Sequence, residues 1–232
     1  MSWRLMAAVG AMTIALSLGG TGVAAVITPA QQLLSSMFVT ARAQSSVHYV
    51  VTYAGHGRII RTIGDAGVER GIQRITFREG TRVGHVTVLV ASNTAYVRGD
   101  AFALENFMGL TGTRAPALAD KWILLQHTAP GFAAVAAGVR LGSTIDAVNM
   151  PGLLRIVGVS TVRGQRVIGV QTHLRHGALT ATETLYVRSA RPNLPVEQIT
   201  TSDSPPVRVQ VVFSSWNEPV HVTAPSLAVS LK

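Results

Sequence analysis

The sequence predicts an α+β protein that is mainly β, with a single strongly curved antiparallel sheet whose concave face is covered by an N-terminal helix and a helical insertion. Three observations predict this class. From Ser46 onward, short runs rich in β-branched and aromatic residues have period two and are separated by Gly, Asn or Asp turns. Such short connections join antiparallel strands. Helical spacing occurs only before these runs and between Ala101 and Met150.

The first residues have the pattern of a targeting segment. An uncharged apolar run from Leu5 to Ile27 follows Arg4 and ends in small residues, which is the pattern of an export signal. Its length also suffices for a membrane-spanning helix, which needs about 20 residues. We therefore predict that residues 1–28 are a signal peptide or an N-terminal membrane anchor, and that residues 29–232 form one exported domain. This domain is either held at the outer face of the cytoplasmic membrane or secreted after cleavage.

The first elements of the domain are a helix and a meander. Pro29 to Ala43 is predicted as an amphipathic helix, because Thr28 is a suitable cap and Leu34 and Phe38 recur at helical spacing. Five strands follow it, in the sequences VHYVVTYAG, RIIRTIGDAG, GIQRITFREG, RVGHVTVLVAS and TAYVRGD. Each ends at a turn signal, so consecutive strands are expected to pair.

The insertion and the second half of the chain come next. Helical spacing around Phe102 and Phe107 precedes a strand in KWILLQ, and one or two short helices are expected after Pro130. Alternation resumes at Leu153 and continues to a predicted final strand in PVHVTAP. The tripeptide Tyr-Val-Arg occurs in both halves, each time in the outgoing arm of a predicted hairpin. An arginine at these positions can prevent an edge strand from pairing with the sheet of another molecule.

An apolar gap is expected between the sheet and the helices. The strands HVTVLVA and QVVF are apolar on both faces, so the second face must also be covered. A sheet of about ten antiparallel strands curls, and helices laid in its concave side would leave space between them and the strands. Two separate cores, or a parallel sheet, would contradict this architecture.

Composition disfavours several classes of function. The chain has no cysteine, no G-x-S-x-G elbow and no tight pair of acids, and His173 and His176 have no third metal ligand nearby. We therefore expect no enzyme, cofactor or metal, although a site assembled from distant residues would leave no motif. The formal charge of +9 predicts attraction to an anionic membrane surface. Because the arginines are scattered singly along strands, we expect no nucleic-acid partner.

Several segments resemble a known family. They are VTYAGHGRIIRTIGDAG, GIQRITF, TAYVRGDAFALENFMGL, DKWILL and the closing FSSWNEPVHVTAP, which runs from Phe213 to Pro225. The order of elements and these segments resemble the LolA-like lipid and lipoprotein carriers, in particular the actinobacterial LppX/LprAFG lipoproteins. The resemblance implies a half-barrel around an apolar cavity that holds acyl chains. The chain differs in that no cysteine follows LSLGG, so it cannot be lipid-modified there.

The expected function follows from the resemblance and the surplus of apolar surface. We predict a non-enzymatic cell-envelope protein that binds or carries a lipid or acyl group, with a membrane protein as a further partner. The alternative is an envelope sensor or scaffold of the same fold that binds a protein segment. The predicted cavity lining comprises four residues of the sheet and four of the insertion: Phe77, Val86, Val88, Val90, Phe102, Phe107, Met108 and Phe132. A closed core of ordinary density is the competing interpretation of these residues.

Overall fold

The computed structural model describes residues 27–176 and 179–230 of the 232-residue chain. The described strands are β1 (Ser46–Gly55), β2 (Arg58–Gly67), β3 (Arg70–Glu79), β4 (Arg82–Ala91), β5 (Thr94–Gly99), β6 (Ile123–Gln126), β7 (Arg155–Val162), β8 (Gln165–His176), β9 (Leu179–Arg188), β10 (Pro195–Asp203), β11 (Pro206–Ser214) and β12 (Val229–Ser230). The helices are α1 (Pro29–Arg42), α2 (Ala101–Met108), α3 (Arg114–Leu118), α4 (Phe132–Ala137) and α5 (Leu141–Asp146).

The N-terminal helix α1 forms where the sequence predicts it. The Thr28 hydroxyl accepts a hydrogen bond from the backbone N–H of Gln31, and the Gln31 side chain accepts one from the N–H of Thr28. This capping box satisfies two donors that a helix start otherwise leaves free. Of the predicted signal peptide or anchor, residues 1–28, the part from 1 to 26 lies outside the described residues. Within the described part, none of the helices is both long and apolar enough to cross a membrane.

The described strands form one open sheet in the order β12-β6-β5-β4-β3-β2-β1-β11-β10-β9-β8-β7. Strands β1 to β6 extend in one direction from the centre, and β11 to β7 extend in the other, so the two halves of the chain meet where β1 pairs with β11. This mainly β half-barrel confirms the predicted fold class. The sheet is mixed rather than purely antiparallel, because β12 runs parallel to β6 over two residues.

The prediction of a strand in PVHVTAP is wrong. Strand β11 ends at Ser214, and residues 218–225 contain no strand. Both neighbours of β11 in the sheet are already occupied, by β1 and β10, so the following segment cannot pair beside it. Ser215 and Asn217 have left-handed backbone angles that turn the chain away. Asn217 then hydrogen bonds to Ser45 and Ser46, at the junction of α1 and β1.

The buried apolar residues form two clusters on the helix-covered side of the sheet. The first cluster joins β3 to β6 with α2, α3 and α4. The second cluster joins β1, β8, β9 and β11 with α1 and α5. Because one continuous sheet carries both clusters on the same side, they are two parts of one layer between sheet and helices.

A short piece of the insertion separates the clusters. The chain between α4 and α5, residues 138–140, is called here the crossing segment, because it runs directly over β2 and β3. A methyl group at Gly71 would overlap the carbonyl oxygen of Val139, so β3 needs glycine at this position. The Tyr49 hydroxyl donates to the carbonyl of Gly138 and lies 2.9 Å from the side-chain oxygen of Gln73. These polar contacts occupy the boundary between the two apolar clusters.

Candidate functional site

Strand register decides which side chains face the concave side. Gln73 lies opposite Val88, and Val88 lies opposite Val97, so these residues share a face. Tyr49 lies opposite both Gly64 and Phe213, which extends the same face across the centre of the sheet. All helices that contribute to the two clusters pack on this face.

The structure brings together all eight residues predicted to line a cavity. Six of them are buried in the first cluster, and Phe102 and Phe107 are partly buried and pack against it. The six are Phe77, Val86, Val88, Val90, Met108 and Phe132. In this arrangement the four strand residues and the four residues of α2 and α4 belong to one apolar cluster. Their role in lining a ligand cavity stays a prediction.

Helix α2 is fixed closely onto β4. A side-chain carbon at Gly84 would lie 2.8 Å from the ring of Phe102, so glycine lets the helix approach the strand. Asp100 accepts from the N–H of Ala103 at 2.8 Å and from the N–H of His85 at 2.5 Å. One carboxylate thereby caps the helix and ties it to the strand. Arg82 lies 4.0 Å above the ring of Phe102 and covers its outer side.

A second part of the concave face is less completely covered. Between the two clusters, and toward the ends of the β1–β2 and β10–β11 hairpins, several inward-facing apolar side chains are only partly buried. We call this region the groove and define it by Val51, Tyr53, Ile60, Val207 and Val209. Ile60 packs against the first cluster, whereas Val51 and Val209 pack against the second. The groove is therefore continuous with both apolar clusters.

The mouth of the groove has a polar edge. Arg58 donates from Nε to Glu79 at 2.7 Å, next to the partly buried ring of Tyr53. Burial raises the pKa of the Tyr53 hydroxyl, and the nearby Arg58 charge partly offsets this rise. Tyr53 is therefore neutral at physiological pH and offers the groove one hydroxyl beside an apolar ring.

Polar side chains line the far side of the groove. Glu183 of β9 faces inward between Thr172 of β8 and Thr200 of β10, and only 8% of its surface is exposed. Gln198 donates from Nε2 to Glu183 Oε1 at 2.5 Å. Burial raises the pKa of the Glu183 carboxyl to about 7, although a hydrogen bond from Thr200 opposes the rise. The carboxyl therefore titrates near neutral pH.

A further buried hydroxyl lies one step along β10. Ser202 is 8% exposed, and its Oγ has no hydrogen-bond partner among the described residues. A buried hydroxyl without a partner costs about 1–3 kcal/mol. Glu183 and Ser202 give the groove an acceptor and an unsatisfied hydroxyl opposite its apolar residues. The concave surface is thus amphipathic, with valines and Tyr53 on one side and these polar groups on the other.

Sequence analysis missed Glu183, although a signal for it was present. In LTATETLYV, Glu183 lies two and four residues before Leu185 and Val187, which are both fully buried. Period two places the carboxyl on the same face as these core residues. Glu183 does not form the paired-acid motif of an acid–base site, because its neighbours are threonines and an amide rather than a second carboxylate. No group of three or more His, Cys, Asp or Glu residues in the described ranges is placed to hold a metal ion.

Comparison with known proteins supports the fold. No protein-family model matches the chain, and no curated protein matches it in sequence. Among solved structures, LprF from Mycobacterium bovis is similar with a TM-score of 0.54 and 16% identity, over 84% of this chain and 96% of LprF. The lipoprotein LppX of Mycobacterium tuberculosis is similar with a TM-score of 0.51 and 15% identity, over 83% of this chain and 98% of LppX. The resemblance found in the sequence is thereby confirmed at the level of the fold.

Proposed function

We propose that this protein is a non-enzymatic cell-envelope protein that binds or carries a lipid or acyl group on the concave face of its half-barrel. The observation that carries the proposal is the groove, where inward-facing apolar side chains of β1, β2 and β11 stay partly exposed between two buried clusters. An acyl chain laid there would remove its own methylenes and these side chains from water. Each buried methylene contributes about 0.8 kcal/mol, so a long chain needs few polar contacts.

The predicted cavity residues extend this path. Ile60 of the groove packs against the first cluster, which contains Phe77 and Val86. Phe102 and Phe107 of α2 are only partly buried at the surface of that cluster. A chain longer than the groove would continue under α2 if the helix moved away from β4. We therefore keep the eight predicted residues as the proposed inner part of the binding site.

The export of the domain belongs to the same proposal. The apolar run of residues 5–27 beside Arg4 supports placement at the envelope, with the domain anchored at the outer face of the cytoplasmic membrane or secreted after cleavage. The chain has no cysteine, so it cannot be anchored through a lipid-modified cysteine as LppX-type lipoproteins are expected to be. Any anchorage would depend on the apolar run itself.

Lipid binding is tested on the full-length protein purified from the envelope of its expression host. The protein is extracted with organic solvent, and the extract is analysed by mass spectrometry. A protein that does not bind lipid, purified in the same way, serves as the control. Uptake of a fluorescent fatty-acid analogue is then measured for the wild type. We expect co-purified lipid and saturable uptake. If the wild type contains no co-purified lipid and takes up no fatty-acid analogue, the carrier function is refuted. Binding of a protein segment then becomes the leading interpretation.

A matched pair of variants locates the site. Val209 faces the groove and Val212 faces the opposite side of the same strand, and both are partly buried. Val209→Gln should weaken uptake about fivefold, since about 1 kcal/mol of apolar contact is lost. Val212→Gln introduces the same polar group into the same strand and should leave uptake unchanged. Equal effects of the two substitutions would mean that the groove is not where the acyl chain lies.

A further inference from the structure

A pocket opens on the outer face of the sheet, on the side opposite the helices. It has a volume of about 230 Å³ and lies across β2, β3 and β4. Arg61, Thr76 and His85 form one row of its wall, because Thr76 pairs with both of the other residues. Ile63, Arg74 and Thr87 form the next row, and Ile75 and Val86 also line the pocket. The wall therefore combines two guanidinium groups, an imidazole and two hydroxyls with aliphatic side chains.

This part of the outer face carries several arginines. Arg61, Arg74, Arg78 and Arg98 are exposed and project from it, and none of them forms a salt bridge within the described ranges. The Asp65 carboxylate on the same face lies 2.6 Å from His48, which engages it away from the pocket. Guanidinium groups grouped without carboxylates attract phosphate, whose oxygens match their forked donors.

Exposed aliphatic side chains lie beside these charges. Ile59 is 49% exposed and Val83 is 43% exposed, and they flank Arg78 in the row nearest the hairpin ends. The row of Arg61 and His85 follows about 7 Å further along the strands. Apolar side chains flanked by cations are the composition of surfaces that bind an anionic bilayer, because the former enter the headgroup layer while the latter pair with phosphates.

We infer that this outer patch, defined by Ile59, Arg61, Arg74, Arg78, Val83 and His85, docks the domain on an anionic membrane surface, with the phosphate of a lipid headgroup in the pocket. The inference rests on the proposed function, since a lipid carrier must meet a membrane. The patch and the groove lie near the same end of β2 but on opposite faces of the sheet, because Ile59 and Ile60 are consecutive strand residues and Ile60 packs against the first cluster.

The test is co-sedimentation of the full-length protein with vesicles of pure phosphatidylcholine and with vesicles that contain phosphatidylglycerol. The apolar N-terminal run does not distinguish the two, so the quantity measured is the ratio of binding to anionic and neutral vesicles. The double variant Arg61→Gln/Arg74→Gln should lower this ratio roughly 30-fold, because two phosphate contacts are removed. High salt should lower the wild-type ratio as well.

The control variant is Arg114→Gln. Arg114 is exposed at the start of α3, on the opposite side of the sheet, and it has no salt bridge in the described part of the chain. It should change the ratio by less than twofold. If Arg114→Gln lowers the ratio as much per charge as the double variant, net charge alone attracts the protein, and the docking site is refuted.

Two further measurements distinguish failure of the docking inference from failure of the proposed function. Inorganic phosphate is added at constant ionic strength, and thermal unfolding is recorded. Stabilisation of the wild type but not of the double variant, with vesicle binding unaffected by the variant, would assign the pocket to a soluble anion and overturn membrane docking. Uptake of the fluorescent fatty acid is measured on the same samples. Normal uptake without docking refutes only this inference, whereas docking without uptake refutes the proposed function.

Discussion

Gln198 donates a hydrogen bond of 2.5 Å to Glu183 on the concave face, where only 8% of the Glu183 surface is exposed. Gln198 Nε2 also lies 3.5 Å from the carbonyl oxygen of Val148, to which it donates its second hydrogen bond. The carboxyl is therefore held by an amide instead of a cation, and nothing in this contact neutralises its charge. Burial accordingly dominates its acidity and raises its pKa from 4.5 to about 7.

This pKa makes the stability of the protein depend on pH. Because the folded protein binds the Glu183 proton more tightly than the unfolded chain, the free energy of unfolding decreases as the pH rises from 4.5 to about 7. The contribution lost across this window is on the order of 3 kcal/mol. Glu183→Gln removes the titration. We expect its melting temperature to exceed that of the wild type by several degrees at pH 8, and to match it more closely at pH 4.5.

The control for this experiment is an exposed carboxyl. Glu69 lies in the turn between β2 and β3 and is exposed. Glu69→Gln changes the net charge by the same amount and should leave the pH profile of melting unchanged. A difference between the wild type and Glu183→Gln that stays constant from pH 4.5 to 8 would show that burial does not raise this pKa.

Contact between Gly71 and the crossing segment gives a second prediction. Since any side chain at residue 71 would overlap the carbonyl of Val139, Gly71→Ala must push the crossing segment off the sheet. Overpacking of this kind costs about 1–3 kcal/mol, and chemical denaturation should measure it. Gly142→Ala is the control, because a methyl group there meets no atom within 4 Å. It should stabilise α5 by about 0.5–1 kcal/mol. Equal stability of the two variants would contradict the close crossing.

Local patterns allowed much of the fold to be predicted. Alternation and turn residues place β1 to β5, and the cap at Thr28 places α1, because these elements depend on near neighbours in sequence. The pairing of Tyr49 with Phe213 joins residues far apart in the chain, and no local pattern specifies it. The same reason explains the missed β12 and the mistaken final strand. PVHVTAP alternates as a strand does, but no edge of the sheet is free beside β11.

The candidate site was predictable in part. The apolar residues of β3, β4 and the insertion, such as Val88 and Phe107, were expected on one face, and the structure places them together. Which part of that face stays exposed depends on where the crossing segment meets the sheet, and this is set by Gly71 and the Tyr49 hydroxyl. Glu183 escaped notice because it has no partner of the kind that sequence motifs contain.

Export gives a third prediction. The apolar run of residues 5–27 lies outside the described residues except at Ile27, so it is tested in cells. A reporter that is active only in the cytoplasm is fused after Lys232. We expect no activity from the complete chain, and activity when residues 1–28 are removed. Activity of the fusion that carries the complete chain would overturn the envelope location.

The last prediction compares two neighbours in α2. Phe107 is only partly buried on the first cluster, whereas Met108 is 3% exposed within it. Met108→Ala should cost about 2–5 kcal/mol of stability, because it leaves a void in a packed region. Phe107→Ala should cost only about 1–2 kcal/mol, since part of its ring already contacts water. If α2 covers the inner part of the binding site, Phe107→Ala should also change the uptake of the fluorescent fatty acid. Thermal melting and uptake are measured on both variants. A loss of stability for Phe107→Ala as large as that for Met108→Ala, with unchanged uptake, would assign Phe107 to a closed core and confine the ligand to the groove.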